Sequence, residues 1–378
     1  MTTNAPLTGS ADTPAPHATE DATGPRGWLR RHAGKLLASI AIGGCLAWLL
    51  ARGGLPFVPE ASAFANTRPW TVAAYLGLLL LAHVLRSTRW RHLLRPVGEV
   101  PLRSVVGVTW IAFAAILVAP FRLGEVVRPY LISKRGTVRL WEAASTIAAE
   151  RVLDGLSLTL ILFAGLWLAP PRAPMPAHVG DLPVSIGAVR AAAWGALALF
   201  ASAFAVMALF YWRRQLARRI VHLVFGVFSD KLADRMASIV ERLADGLRFL
   251  PSSRTLLPFL AETAGYWAAC ALGMWLLGWG AGLSDYSLPE ACLTLGVLGI
   301  GVLLPTAPGF FGTFQLSMYM ALAMFYPEDI VRSTGAAYVF LLYVCQVLFH
   351  IAAGGVGWLI DRDPNRISAP TRASSRRG

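Results

Sequence analysis

Charge is scarce in this chain of 378 residues: Asp, Glu, Lys and Arg make up 15 % of it, against 56 % hydrophobic residues. A soluble domain carries about 25 % charged residues, so a water-soluble globular fold is excluded. Lysine is almost absent, three residues against 31 arginines, and an arginine at any one position is therefore weak evidence of phosphate recognition. The four cysteines, Cys45, Cys270, Cys292 and Cys345, lie in apolar runs without metal-ligand spacing, which argues for small packing residues and against a zinc centre. The G-x-x-x-x-G-K-[ST] loop, H-E-x-x-H and G-x-S-x-G are all missing. No enzyme activity, cofactor or metal is expected, and any transport must run on an ion gradient, a lipid gradient or none. The net charge of +13 invites a nucleic-acid reading, but the cations sit mainly between apolar runs, where membrane topology accounts for them.

What is present is a series of apolar runs, at 35–51, 70–88, 104–119, 143–169, 187–212, 256–281, 288–304, 309–326 and 334–360. Several exceed the roughly 18 residues that span a bilayer core as helix. Residues 1–34 and 361–378 are too polar and too rich in Pro, Gly and Ala to fold, and read as disordered cytoplasmic ends. No cleavable signal peptide is evident, so the first helix is expected to stay as an anchor.

Charge then orders the spans. Segments 86–103 and 120–142 each carry five Arg or Lys, against one and two acids. Both read as cytoplasmic, although 104–119 lies between them. Its sixteen residues reach only about 24 Å as helix, and Pro120 and Gly124 supply a break. A re-entrant hairpin fits both facts; an ordinary short span is the plain alternative. Segment 213–255, with nine cations against four acids, is also cytoplasmic, whereas 170–186 and the loops near Asp285, Glu290, Glu328 and Asp329 read as external. The pair 288–304 and 309–326 then forms a second hairpin, entering from outside.

A repeat follows. Residues 70–169 and 256–360 are each helix, hairpin, helix, starting on opposite sides, and "APFRLG" (119–124) matches "APGFFG" (307–312) in place. The fold class is thus an all-α polytopic membrane protein with about six full transmembrane helices and two re-entrant hairpins in an inverted repeat, an arrangement found in transporters. Within the membrane domain, 35–360, helix 187–212 links the repeats. In segment 213–255, Leu232, Met236, Ile239, Leu243, Leu247 and Leu250 recur at helical spacing behind Ser229 as N-cap, which suggests an interfacial helix.

Ionisable residues within apolar helices are expensive and face a cavity or a partner. Glu150 and Asp154 are four apart and share a face; Arg151 lies about 100° round and can reach Glu125 or a lipid phosphate. An ion network locking the hairpin and a functional site are both open readings. Arg122 and Arg128 flank a short half-helix whose N-terminal dipole favours an anion, though Arg128 also suits a snorkelling interfacial role. Glu262, Gln315, Gln346 and His350 are further polar residues in apolar runs, while His83 and Arg86 read as interfacial.

The stretch "GEVVRPYLISKRG…AASTIAAERVLDG" resembles the flippase-like transmembrane family that includes the membrane region of lysylphosphatidylglycerol synthases. The matching elements are Gly124, Glu125, Arg128 and Pro129; then Glu150, Arg151 and Asp154; then the turn of Pro305, Pro308, Gly309 and Gly312. The resemblance covers roughly 35 to 360 and implies a lipid translocase of a bacterial inner membrane, both termini cytoplasmic. Its phospholipid or lipid-linked headgroup would bind Arg122, Arg128 and Arg151, beside Gly124, Pro308, Gly309, Gly312 and Gln315. Glu125, Glu150, Asp154, Glu262, Gln346 and His350 would form the polar or proton network. Two departures stand out: Gln315 replaces a glutamate of many members, and Val344 an arginine. "GTF" (312–314) and Gln346 are similar to members associated with polyprenyl-linked glycans or hopanoids. The synthases also carry a soluble aminoacyl-transfer domain, for which this sequence has no counterpart, so it is not expected to make aminoacylated lipid alone. A lipid-modifying enzyme using Glu150 and Asp154, a scaffold for a separately encoded synthase, and self-association stay open.

Overall fold

A computed structural model describes residues 25–119, 124–135, 137–172, 178–179, 182–183, 185–303 and 307–361. The ends 1–24 and 362–378, as well as Pro120, Arg122 and Pro305, lie outside the described residues. The first half runs through α1 (Pro25–Arg52), α2 (Pro69–Leu94), α3 (Leu102–Val118), α4 (Val127–Ser133) and α5 (Leu140–Leu168). A two-stranded antiparallel pair, β1 (His178–Val179) and β2 (Leu182–Pro183), precedes α6 (Ile186–Trp212). Then come α7 (Arg214–Phe225), α8 (Asp230–Ala244), α9 (Ser253–Gly280), α10 (Leu288–Gly301), α11 (Thr313–Leu322), α12 (Glu328–Arg332) and α13 (Thr334–Asp361).

Among the described residues, four helical stretches are long and apolar enough to cross a membrane: α2, α5, α6 and the run from α12 through α13. At most a third of each apolar window is buried, so much of their hydrophobic surface faces outward, as a lipid solvent requires. Two of the six expected spans are not among them. Helix α9 has the length, 28 residues, but carries Arg254, Pro258 and Glu262 in its first half. Of α1, the stretch Ala41–Arg52 counts as a shorter apolar helix, as do α3 and α10.

Local chemistry sets the helix starts. Ser287 accepts the Glu290 N–H while the Glu290 carboxylate accepts the Ser287 N–H at 2.8 Å, a reciprocal cap that opens α10 after Ser287. Glu142 accepts the Arg139 N–H at 3.0 Å ahead of α5. Gln315 does the same for α11: its Oε1 accepts the Gly312 N–H at 2.9 Å. Gly312 needs its missing side chain, since its φ is +85° and a methyl group would fall 2.7 Å from the Leu46 Cβ on α1. Just before it, Phe310 holds φ +57°, a left-handed conformation costly for a bulky residue.

Helix pairing gives the architecture. Helix α2 lies along α9, α3 along α13, and α5 along α10. Exchanging α2 with α9, α3 with α10, α4 with α11 and α5 with α13 maps these pairs onto themselves. After each break the chain folds back: Gly124 lies against the Ala115–Ile116 backbone, and Gly301 against Ser317. The two crossed seams are lined by small residues, which let backbones approach closely. Along α5–α10, Gly296 sits against Leu162 and Gly299 against Leu158; along α3–α13, Gly354 sits against Ala114 and Gly357 against Trp110. An ion pair closes the end of each seam. Arg135 binds Asp361 at 2.7 Å beside α3–α13, and Arg172 binds Glu290 at 2.9 Å beside α5–α10.

Helices α7 and α8 pack on each other and are laced by Arg214 and Arg218 to Glu241 and by Arg214 to Asp245. Ser229 occupies the N-cap position of α8 without making a capping bond. The expected single stripe is divided: Leu247 is buried, whereas α7 presents Leu216, Ile220, Leu223 and Val224 outward.

Candidate functional site

Helix α2 continues to Leu94, six residues past its expected end, and this changes the site. Arg86 and Arg89, read from sequence as interfacial and loop charges, are helical residues one turn apart, next to α5. Arg89 is fully buried. Its guanidinium grips Asp154 with two bonds, 2.7 and 2.9 Å, and donates a third to Glu150 at 3.0 Å. The fork of an arginine matches a carboxylate in this way. Glu150, equally buried, accepts a further bond from Arg128 at 2.8 Å. The Arg128 guanidinium lies flat over the Trp90 ring at 4.0 Å, and the Trp90 indole N–H donates to Thr146 at 3.0 Å. Helices α2, α4 and α5 are thus joined by a dry ionic knot.

Two arginines stand at the edge of this knot. Arg86 stacks over Phe113 at 4.1 Å, donates to the Tyr266 hydroxyl at 3.3 Å, and stays 3.9 Å from both Glu150 and Asp154. Arg151 faces Glu125 at 3.9 Å. Those separations exceed hydrogen-bond length, and Nε of each arginine is buried without a hydrogen-bond partner. Among the described residues the knot holds four guanidiniums, of Arg86, Arg89, Arg128 and Arg151, against three carboxylates, of Glu125, Glu150 and Asp154. The balance is one positive charge.

Above the edge is a cavity of about 230 Å³ between the two helix breaks. Arg86, Arg151, Glu125, His83, His350 and Gln346 form its polar wall. Leu79, Met274, Leu298, Val302 and Phe314 form an apolar one, and Gly309 and Phe310 of the second break cover part of it. The strained Phe310 is therefore part of the cavity lining.

Several residues singled out in the sequence meet here: Glu125, Arg151, Gly309, Gln346 and His350 all line the cavity. Others do not. Arg128, Glu150 and Asp154 lie in the knot outside its lining, Arg128 with Nε and Nη2 unpaired, Gln315 caps α11, and Gly124 packs on α3. Pro308 and Gly312 shape the second break. Glu262 accepts from Thr88 at 3.0 Å and meets His92 at 3.3 Å, a strut between α9 and α2 apart from the cavity. The half-helix expected to favour an anion is α4, only seven residues long, and Arg128 turns from it toward Glu150. Sequence reasoning missed Arg86, Arg89 and His83. Their three-residue spacing on one helical face was the available signal.

A family model described as "Lysylphosphatidylglycerol synthase TM region" matches residues 36–354. The chain is 24 % identical over 293 residues to "Glycosyltransferase AglD" of Haloferax volcanii, an alignment covering 73 % of this chain and 47 % of that protein. The chain thus spans about half the length of this curated relative. No solved structure matches.

Proposed function

Because the chain belongs to the lysylphosphatidylglycerol synthase TM region family, we propose that it is a lipid translocase, moving an anionic phospholipid or a lipid-linked headgroup between membrane leaflets. The amphipathic cavity carries this reading. A lipid brings a phosphate and a hydrocarbon stem, and the cavity offers Arg86 and Arg151 with open donors beside an apolar wall. Guanidinium forks suit phosphate, and two of them line the cavity. Arg128 serves as internal counter-ion rather than as ligand contact.

Movement is ascribed to the two breaks. The exchange pattern of the helices supports two hairpins, α3–α4 and α10–α11, entering a bacterial inner membrane from opposite faces, as in transporters with broken helices. Irregular backbone at membrane depth is tolerated where it lines a cavity, and Gly309 and Phe310 do so. With both termini cytoplasmic, Arg135–Asp361 is the inner clasp and Arg172–Glu290 the outer one. Opening to either side then breaks one clasp while the other holds.

The relative named a glycosyltransferase favours a second cargo, a lipid-linked glycan. A lipid-modifying enzyme is disfavoured, because Glu150 and Asp154, its acid and base, are both engaged by Arg89 below the cavity. A scaffolding role would use the outward face of α7 for a separately encoded synthase.

The test is leaflet transfer in proteoliposomes, read as dithionite quenching of fluorescent phosphatidylglycerol. Arg86→Gln and Arg151→Gln should each lose transfer while keeping the wild-type melting temperature; wild-type rates in both would refute the assignment. In a background lacking Cys45, Cys270, Cys292 and Cys345, a cysteine at Ser133 should be protected from an impermeant reagent outside cells and one at Ser287 labelled. Labelling at Ser133 would turn α3 into a full span and remove the opposed hairpins.

A further inference from the structure

His83 is the polar side chain that the ionic knot does not use. It lies one helical turn before Arg86, is 4 % exposed, and lines the cavity. Its ring nitrogens make no hydrogen bond of good geometry, although the Leu79 carbonyl one turn back can accept from the ring N–H. Buried polar groups are normally paired; this ring has an acceptor nitrogen left over. Its ring meets the His350 ring edge to face at 4.7 Å. His350 Nδ1 donates to the Gln346 carbonyl at 2.6 Å, which fixes the tautomer and leaves its Nε2 as a proton acceptor. Two imidazoles therefore share one corner of the cavity.

The surroundings decide what such a pair can do. On α2 the facing charge is Arg86; α3 presents the Phe113 ring at 5.5 Å, and α13 the Phe349 ring at 4.8 Å beside His350. Across the cavity stand Glu125, Arg151, Tyr266 and Cys270. A proton arriving in the empty cavity would add a cation beside Arg86, a charge of the same sign. An anion bound between Arg86 and Arg151 reverses this: the same proton then neutralises rather than accumulates charge, and the imidazolium gains an acceptor for its N–H.

We infer that His83 and His350 form a proton-loading site, so that the anionic headgroup is taken up together with a proton. This rests on the translocase reading, and it names the coupling ion. The proton comes from the water on the loading side, joins a ring nitrogen lone pair, and leaves to water on the far side as the headgroup departs. No bond other than N–H is made or broken. Binding of anion and proton is then reciprocal, and the anion's affinity rises as pH falls, by up to about tenfold per pH unit.

The experiment adds dihexanoylphosphatidylglycerol to the purified full-length protein in weakly buffered detergent. Lipid binding is followed by calorimetry and proton uptake by a pH dye, between pH about 5.5 and 7.5. The expected result is uptake of up to one proton per bound lipid, and a binding constant that strengthens toward low pH. In the His83→Gln, His350→Gln double variant the proton uptake per bound lipid and the pH slope of the remaining affinity should both be lost, and each single variant should show less of both. Binding without uptake, or the same uptake in the double variant, overturns the inference and leaves the translocase reading standing. Absence of lipid binding at every pH overturns both. Proton-linked binding without leaflet transfer would uphold the histidine site and remove the translocase.

Discussion

Replacing Glu150 by Gln isolates the ionic knot, because the shape is kept and one charge is removed. Glu150 is the shared acceptor of Arg89 at 3.0 Å and Arg128 at 2.8 Å, and no part of it meets solvent. Arg89 retains both bonds to Asp154, but Arg128, 1 % exposed, loses the one carboxylate within bonding distance. Breaking a buried pair by removing one partner costs about 3–5 kcal/mol, since the other charge stays buried. With an unfolding entropy of about 2.1 cal/mol/K per residue, 378 residues convert 4 kcal/mol into a fall of roughly 5 °C in melting temperature. The assay is thermal unfolding of purified protein in nanodiscs at constant lipid composition. The control is Glu150→Gln with Arg128→Met, which removes the stranded cation and keeps an apolar contact over Trp90; it should recover most of the loss, because exchanging a buried pair for apolar groups is near neutral. A single variant as stable as wild type, or a double variant worse than the single, would refute the counter-ion role given to Arg128.

Three further outcomes follow from the geometry. Asp361→Asn weakens the clasp to Arg135, and a cysteine at Ser104, buried one turn before Gly107 on α3, should then react several-fold faster with a thiol reagent, with no such change in Glu290→Gln. Gly312→Ala combines a φ of +85° with a clash against Leu46 and should cost about 1–3 kcal/mol, seen as a lower melting temperature. The Arg218 hydrogen bond, the largest influence on Glu241, holds that carboxyl below its ordinary value. Its contribution is complete above the ordinary carboxylate range and is lost as pH falls through the depressed value. Hydrogen exchange in α7 and α8 should therefore quicken in acid, and Glu241→Gln should show the faster exchange already at neutral pH.

Hydropathy made the helices legible, because lipid exposure imposes apolar length, and loop charge suggested the repeat, because topology imposes Arg and Lys bias. The site was legible only in part. Glu150, Arg151 and Asp154 stood out inside an unbroken apolar run. Arg86 and Arg89 did not, because they sit where hydropathy falls, and a running average over all faces of a helix reads a charged inner face as the end of a span. Arg128 was found, but its surroundings were not legible: spacing places it near a turn, and its stacking on Trp90 and its bond to Glu150 come only with the fold. Gln315 looked like a lost charge and proved to be a helix cap, a role decided by a backbone N–H that a side-chain pattern does not reveal.

The glycines along α5–α10 and α3–α13 bear on wear as well as on closeness. Interlocked leucines resist lengthwise motion because each step needs a rotamer to jump, with a barrier and a change of volume. Here glycines face side chains from both directions: Gly296 and Gly299 take Leu162 and Leu158 while Gly165 takes Leu293, and Gly354 and Gly357 take Ala114 and Trp110 while Gly107 takes Asp361. Each side chain then meets a gap rather than another leucine, which lowers the barrier to a step along the seam. In the proposed translocation the clasps at the seam ends would add to that barrier, so the speed of a cycle would depend on two ion pairs at the rims.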